Sequence, residues 1–162
     1  MKCKLLVVAV LLALVSVNVR AQDGLGLGVI VGEPTGVSLK YWLSDERAFD
    51  AAAAWSFSEN DSFQVHADYL IHNFDLINPG EVTGKLPVYY GVGGRLKLKN
   101  DNDGKGRNDD DALLGIRFPL GITYLFAEAP LDLFIEVVPI LDIAPDTDVD
   151  INAAIGVRFY FR

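Results

Sequence analysis

From Gly24 to the end of the chain, apolar residues recur at every second position in eight successive segments. These apolar rows run over 25–31, 37–43, 49–57, 63–71, 86–98, 114–126, 131–137 and 149–161, and none of them contains a charged residue. The positions of the other parity carry nearly all of the charges within these segments. Because a two-residue period places alternate side chains on opposite faces of a β-strand, each segment predicts a strand with one uncharged face.

The predicted strands cover most of the chain beyond its first residues. Their spans are 24–32, 36–43, 48–57, 63–72, 86–98, 112–126, 131–141 and 149–161. No helix of ordinary length, linker or second domain is indicated between them. The sequence therefore predicts an all-β fold, an eight-stranded antiparallel up-and-down β-barrel, and the width of its uncharged faces favours a transmembrane one.

The first 21 residues have the pattern of an export signal. Lys2 and Lys4 give a basic start, residues 5–17 are apolar, and residues 19–21 end in a small-residue cleavage site. The apolar stretch is shorter than the roughly 20 residues that span a bilayer. We expect residues 1–21 to be cleaved as a signal peptide, leaving a single barrel domain over residues 22–162.

The composition of the remaining chain excludes some functions. Cys3 is the single cysteine and lies in the signal, so neither a disulfide nor thiol chemistry is expected afterwards. Without Lys2, Lys4 and Arg20, 11 basic residues face 22 acidic ones. This acidity argues against a nucleic-acid partner, which selects basic surfaces. It is compatible with an exported protein whose loops face water.

Alternation alone leaves open which face of the barrel points inward, and the aromatic residues favour apolar rows on the outside. If both termini lie in the periplasm, one end of the rows carries Tyr41, Phe49, Tyr69, Tyr124, Phe126, Phe159 and Phe161. Trp55, Phe57 and Phe63 lie at the other end of one hairpin, and only Tyr90 and Phe118 lie near mid-row. Aromatic belts at two lipid–water boundaries are typical of outer-membrane barrels.

The opposite face has balanced charges. It carries five bases, Lys40, Arg95, Lys97, Arg117 and Arg158, and five acids, Asp50, Asp68, Asp132, Glu136 and Asp150. A narrow lumen needs such pairing, because an unpaired buried charge costs several kcal/mol. We predict that these residues, together with His66, form a structural charge network inside the barrel. A solvated strand face with a chance balance is the alternative.

Small residues share the charged face and leave room for large ones. They are Gly24, Gly26, Gly28, Gly32, Ala52, Ala54, Gly91, Gly93, Gly115 and Gly121. Eight strands enclose a bore that side chains can just fill, so the large inward residues Trp42, Tyr89, Phe134 and Tyr160 require small neighbours.

Four segments carry a resemblance to a family of short, mostly uncharacterised bacterial outer-membrane β-barrel proteins. The segments are residues 32–42 (GEPTGVSLKYW), 66–74 (HADYLIHNF), 85–95 (KLPVYYGVGGR) and 153–161 (AAIGVRFYF). In architecture the chain is similar to the OmpA and OmpX transmembrane barrels. The resemblance implies this fold, the outer membrane of a Gram-negative bacterium and contact with its barrel-assembly machinery, which reads a terminal aromatic such as Phe161. It implies no catalytic activity.

One polar cluster lies on the predicted fourth strand. His66 and Asp68 are about 7 Å apart along the strand, whereas His66 and His72 are about 20 Å apart, too far for one metal ion without ligands from other strands. If Phe57 pairs with Phe63, Ala54 lies opposite His66 and Ala52 opposite Asp68. We interpret the cluster as a hydrogen-bonded part of the lumen, with a proton-transfer or metal site as the alternative.

Other candidate sites have weaker patterns. Residues 100–111 are rich in Asn and Asp, but the EF-hand register fails because Lys99 and Asp110 would occupy its first and last ligand positions. We interpret them as a solvated acidic loop, with irregular calcium coordination as the alternative. Asp142, Asp146 and Asp148 add to the same acidic end. Ser56 and His66 lack a clear acidic partner for nucleophilic catalysis. We therefore predict no enzyme activity, metal or cofactor.

Three functions are compatible with this pattern. The first is a monomeric, non-enzymatic outer-membrane barrel with a salt-bridged, side-chain-filled lumen, whose acidic loops give it a structural or surface-interaction role. The second is a narrow pore for small solutes, although open porins use about 16–18 strands. The third is a soluble, periplasmic, lipocalin-like binder, in which the apolar rows would line a ligand cavity.

Overall fold

The protein is a single antiparallel sheet that closes on itself. A computed structural model describes residues 22, 24–56, 62–77, 80, 83–99 and 112–161. The strands are β1 (Leu25–Glu33), β2 (Thr35–Trp42), β3 (Arg47–Ser56), β4 (Ser62–Asn73), β5 (Gly84–Lys85), β6 (Val88–Lys99), β7 (Ala112–Arg117), β8 (Leu120–Phe126), β9 (Leu131–Ala144) and β10 (Asp148–Phe161). The described residues contain no helix, and so none that could cross a bilayer.

The wall of the barrel is a closed ring of eight strands, two of which are each divided into two pieces at a proline. This confirms the predicted barrel. β1 pairs with β2, β2 with β3, β3 with β4, and β4 with β6. β6 then pairs with β7 and β8, both of these with β9, β9 with β10, and β10 with β1, which closes the ring. All of these pairings are antiparallel. We call the end where β1 begins and β10 ends the lower end, and the opposite end the upper end.

The predicted strand 112–126 is divided into β7 and β8 by Phe118–Pro119. Pro119 has no N–H group, so the ladder is interrupted there. The wall nevertheless continues across the interruption. The Pro119 carbonyl accepts a hydrogen bond from the Gly91 N–H at 3.0 Å, and the Phe118 N–H donates to the Pro139 carbonyl at 2.9 Å. The prediction of one unbroken strand was wrong at this proline.

The predicted strand 86–98 is also modified by a proline. Its main part is β6, and the preceding residues form the two-residue strand β5, which pairs with the lower end of β8. Pro87 separates the two pieces, although its carbonyl still accepts the Thr123 N–H at 3.1 Å. The eight strands of the wall are therefore assigned as ten, because β5 with β6 and β7 with β8 each form one divided strand.

The apolar rows face outward and the charged rows face the lumen. Thirty large apolar side chains of the described residues are exposed, whereas the buried residues include fifteen polar or charged ones and only thirteen apolar ones. A soluble barrel would show the reverse. Because the apolar rows do not line the interior, the premise of the lipocalin-like alternative is wrong.

The register between β3 and β4 differs from the prediction by two residues. Trp55, rather than Phe57, pairs with Phe63, so Ala52 lies opposite His66 and Asp50 lies opposite Asp68. The last pair is Ser56 with Ser62, so β3 ends and β4 begins one residue earlier than predicted, and residues 57–61 between them lie outside the described part of the chain. Two carboxylates become direct cross-strand neighbours, which requires cations nearby.

The long connection between β4 and β6, for which the sequence offers no reason, covers the lower end of the barrel. Phe74 packs against a buried cluster of Trp42, Ala48, Leu125 and Tyr160. Its later part is fixed to the wall by the β5–β8 pairing and by the hydrogen bond from the Tyr124 hydroxyl to the Thr83 carbonyl, 2.7 Å long. Among its described residues, this connection places Phe74 against the buried cluster at the lower end.

At the upper end β10 extends past β1. Residues 148–152 pair with β9 only, since β1 ends opposite Ala153. The N–H groups of Val149 and Ile151 are instead bonded by the preceding side chains, Asp148 and Asp150, at 2.9 and 2.8 Å. Charged residues that satisfy an open edge discourage pairing with another strand.

Candidate functional site: the charged lumen

Two arginines of the lumen, Arg117 and Arg95, each reach an acid two strands away by lying over an inward-facing glycine. Arg117 on β7 is the first example. Its neighbour across the ladder is Gly93 on β6, and the neighbour of Gly93 on β4 is Asp68. The Arg117 Nε donates to both Asp68 oxygens at 3.0 and 3.1 Å. A Cβ on Gly93 would overlap the Asp68 carboxylate.

Arg95 repeats this arrangement nearer the upper end. It crosses Gly115 on β7 to reach Asp142 on β9, and its Nε and Nη2 donate to the two carboxylate oxygens at 3.1 and 2.6 Å. A bidentate pair of this kind holds both side chains in one orientation. The remaining terminal nitrogen of Arg95 lies 2.9 Å from Asp150, which is also 3.9 Å from Lys97.

Arg158 is the centre of the lower network. It lies beside Gly28 in the ladder, and Ser38 lies on the other side of that glycine. Arg158 donates to the Ser38 hydroxyl at 2.8 Å, to Asp132 at 3.4 Å and to Asp50. The guanidinium carbon also lies 3.8 Å from the centre of the Phe134 ring, a cation–π contact.

Two tyrosines extend the same network. The Tyr160 hydroxyl donates to Asp132 at 2.6 Å. Tyr89 crosses Gly121 to reach Glu136 at 2.9 Å, and a Cβ on Gly121 would overlap the Tyr89 ring. We call this arrangement, in which a long side chain lies over a glycine to reach the strand beyond it, a glycine crossing. Tyr89 shows that aromatic side chains use it as well as arginines.

Lys40 occupies a different environment, among rings. Its ammonium lies 2.7 Å from the His72 Nε2, and 4.7 and 5.3 Å from the ring centres of Trp42 and Tyr89. The other nitrogen of His72 lies 3.3 Å from the Glu46 carbonyl, which suits an Nδ1–H donor and leaves Nε2 free to accept from Lys40. The cation is thus held by cation–π contacts and a neutral imidazole.

The structure separates the two histidines. His66 lies 3.4 Å from Gln64 and 4.0 Å from Asp68, whereas His72 contacts Lys40 nearer the lower end. Within the described ranges, no group of three or more His, Cys, Asp or Glu side chains is placed to hold a metal ion. The geometry provides hydrogen bonding and charge neutralisation rather than a coordination sphere.

The structure places all of the residues of the predicted charge network on the inward side of the wall. Lys40, Asp50, His66, Asp68, Arg95, Arg117, Asp132 and Arg158 are buried, and Lys97, Glu136 and Asp150 are partly exposed. Among the described residues, the buried lysine and arginines number four, and the buried carboxylates, with Asp142, also number four. The buried part of the lumen is therefore neutral.

Asp142 was assigned to the acidic upper connection, which is wrong. It belongs to β9, is buried, and is the bidentate partner of Arg95. The signal was present in the sequence, because Asp142 has the same parity as Asp132 and Glu136, but the predicted strand ended one residue too early. Ser38 and Gln64 were also missed, since only charged positions of that parity were considered.

The comparisons with known proteins give one likeness, and it concerns the fold. No protein-family model and no curated protein sequence matches the chain. The crystal structure of the N-terminal β-barrel domain of Pseudomonas aeruginosa OprF superposes with a TM-score of 0.59 at 17% sequence identity. The match covers 85% of this chain and 95% of that domain. The chain therefore shares that barrel fold over most of its length.

Gly93 and Gly94 offer a matched test of the glycine crossing. We expect Gly93→Ala to lower the free energy of unfolding by about 1–3 kcal/mol, because the new methyl group occupies the path between Arg117 and Asp68. Gly94 faces outward into open space, so Gly94→Ala should be neutral or stabilising by up to about 1 kcal/mol. Urea unfolding of the refolded barrel, followed by tryptophan fluorescence, measures both. Equal effects of the two substitutions would contradict the crossing.

The Arg117–Asp68 pair can be tested by removing one charge and then both. Arg117→Met should cost about 3–5 kcal/mol, since it leaves Asp68 buried without its partner. Adding Asp68→Leu should recover most of this loss, because two apolar side chains of similar size then fill the space. Arg47→Met, at the exposed lower turn, is the control and should stay within about 0.5 kcal/mol. A neutral Arg117→Met would show that Asp68 does not depend on this arginine.

Proposed function

We propose that this chain is an OmpA/OmpX-type barrel of a Gram-negative outer membrane, exported by the signal over residues 1–21. In this proposal it is a monomer, is inserted by the barrel-assembly machinery, and has no enzyme activity, cofactor or nucleic-acid partner. Its lumen is closed, and its role is structural or in surface interactions.

The observation that carries the proposal is the distribution of side chains in the wall, which is the reverse of that in a soluble barrel. Large apolar side chains cover the outside, and ion pairs fill the inside. In water, so wide an uncharged surface would favour aggregation. In a bilayer it is the required surface, and a closed barrel leaves no backbone group of its wall without a partner.

The outward aromatic residues support a membrane setting. Near the lower end they contact one another in pairs: Phe49 with Tyr69, Tyr124 with Phe126, and Phe159 with Phe161, at ring-centre distances of 5.5, 4.7 and 5.0 Å. Near the upper end Trp55 lies 5.4 Å from Phe63. Aromatic girdles at two levels suit the two lipid–water interfaces.

The packing of the lumen supports a closed barrel. Arg117 and Asp68 close its middle, and Arg158, Phe134 and Tyr160 occupy the part below. Each of these side chains is buried. Ions would have to break buried pairs to pass, which favours a role other than conduction.

The upper end supplies the surface that would meet other molecules. Asp146 and Asp148 are exposed there, and Asp150 is partly exposed. Residues 100–111, which the sequence predicts as an acidic loop with calcium coordination as the alternative, lie outside the described residues. We propose that this end interacts through negative charge with solutes, ions or neighbouring surfaces.

The register gives no support to catalysis by Ser56. Ser56 lies opposite Ser62, four residues along β4 from His66, a separation of about 13 Å. A nucleophile and its base must be within hydrogen-bond reach of one another. This register therefore separates the one serine–histidine pair that the sequence offered for catalysis.

A narrow pore is the second candidate. It is favoured by the hydrogen bonding of Arg117, whose guanidinium is bound on one side only. Arg117 is bound to Asp68 through Nε, while one of its terminal nitrogens has no hydrogen-bond partner within the described chain. A guanidinium held from one side can turn more easily than a bidentate one such as Arg95. In that case the lumen charges would select the solutes that pass.

Two outward positions of equal exposure separate a lipid from an aqueous environment. Ile155 is 49% exposed at the middle of β10, and Leu43 is 47% exposed at the lower end. In a bilayer, Ile155→Lys should cost about 2–4 kcal/mol and Leu43→Lys about 0–1 kcal/mol. In water the two substitutions should cost the same. Urea unfolding in phospholipid vesicles and membrane fractionation measure the difference, and equal tolerance in the membrane fraction would contradict the proposal.

Planar-bilayer recordings test whether the lumen is closed. The wild-type protein should show no stable channels, and Arg117→Ala should admit ions because it empties the middle of the lumen. The double variant Arg117→Met with Asp68→Leu is the control, since it keeps the space filled and should stay silent. Stable wild-type channels whose ion selectivity changes in Arg117→Ala would instead establish the narrow pore.

A further inference from the structure

Gly94 is a glycine that the packing of the barrel does not require. A Cβ at most other strand glycines, such as Gly93, Gly115 and Gly121, would overlap side chains or backbone. At Gly94 it would meet only the Gly115 carbonyl oxygen, at an ordinary 3.8 Å. Its backbone is not among the positive-φ glycines either. In a strand, such a glycine marks a bulge, a tight bend or a place where a ligand or another backbone approaches closely.

Gly94 forms the floor of a groove in the outer wall. Its cross-strand partner is Ala67, so two small residues lie side by side within otherwise bulky apolar rows. Val65, Leu96, Leu114 and Ile143 stand around them, and these residues line a shallow groove, open to the outside, with a volume of about 550 Å³. That volume lies within the roughly 300–1,000 Å³ of typical ligand pockets.

A register shift provides one wall of this groove. Leu114 pairs with Ala144, but the next residue, Gly115, pairs with Asp142, so Ile143 has no partner on β7. Ile143 is exposed on the outside of the wall. Because a bulge re-aims a side chain, this shift turns an aliphatic group toward the floor formed by Gly94.

The chemistry of the groove selects an apolar and slender occupant. Of the nine residues around it, only His66 and Arg95 are polar, and both are buried on the lumen side. A narrow groove with aliphatic side chains on its outer face suits a single hydrocarbon chain.

We propose that this groove binds one acyl chain of a membrane lipid. The inference rests on the proposed function, under which the outer wall contacts lipid and the groove is continuous with that surface. The groove lies in the upper half of the wall, next to the middle of β4 and β6. Ala67 and Gly94 let the chain lie against the backbone, and the four aliphatic side chains hold it from either side.

Native mass spectrometry of the detergent-extracted barrel with dipalmitoyl phosphatidylethanolamine measures this binding. Gly94→Phe and Ala67→Phe fill the groove from two different strands. Ala153→Phe is the matched control, because Ala153 is an exposed small residue on the outer face of β10, away from the groove. A heat-modifiable gel shift identifies the folded fraction of each variant, and flotation with vesicles of the same lipid reports insertion.

Wild type and Ala153→Phe should retain one lipid per folded barrel. The two filled variants should retain at least about tenfold less, which corresponds to roughly 1.4 kcal/mol of binding free energy. Equal retention by wild type and both filled variants, with all of them floating, would overturn the acyl-chain site and leave the proposed function intact. A wild-type dimer that Gly94→Phe abolishes would assign the groove to a second copy and also overturn it. Failure of the wild type to float would overturn the proposed function itself.

Discussion

The ion pairs of the lumen depend on glycines that provide no ion-pairing group themselves. Strands two apart in a sheet are separated by about 10 Å, so an arginine can reach an acid there only by lying over the strand between them. Any side chain on that strand would fill the path. Gly93, Gly115 and Gly121 keep these paths open, and Arg117, Arg95 and Tyr89 use them. The glycines and the long polar residues are therefore one structural device, and neither is stable inside the barrel without the other.

This device suits a barrel whose outside is apolar. A soluble domain gains stability by burying apolar surface, at about 25 cal/mol per Å². Here the large apolar side chains remain outside, and that term cannot hold the interior together. Buried pairs must instead satisfy one another, since removing one partner costs about 3–5 kcal/mol. The equal number of buried cations and carboxylates follows from this requirement, as does the use of Phe134 and the aromatic rings around Lys40 as additional cation partners.

The sequence predicted what depends on parity and missed what depends on register. The two-residue period gave the eight strands and their two faces, because side-chain alternation is a local property, and the placement of the aromatic residues and the charge balance indicated which face points inward. The pairing of Asp50 with Asp68 could not be read in the same way, since it depends on where the turn between β3 and β4 begins and ends. The breaks at Pro87 and Pro119 were readable from the missing N–H groups. The outer groove was not readable, because it arises from a shift between β7 and β9 that places Ile143 beside Gly94.

The crossings also fix how the barrel closes. A one-residue slip of any strand would turn its charged row toward the outside, and a two-residue slip would separate each arginine from its acid by about 7 Å. Apolar rows tolerate such slips, because one aliphatic residue replaces another on the outer face. The three arginine networks do not, and they are distributed around the ring: Arg117 joins β7 to β4, Arg95 joins β6 to β9, and Arg158 joins β10 to β2 and β3. Together these connections involve every strand of the eight-stranded wall except β1, and β1 supplies Gly28 beneath Arg158. A wall that is chemically uniform outside thus takes its unique register from the charges inside.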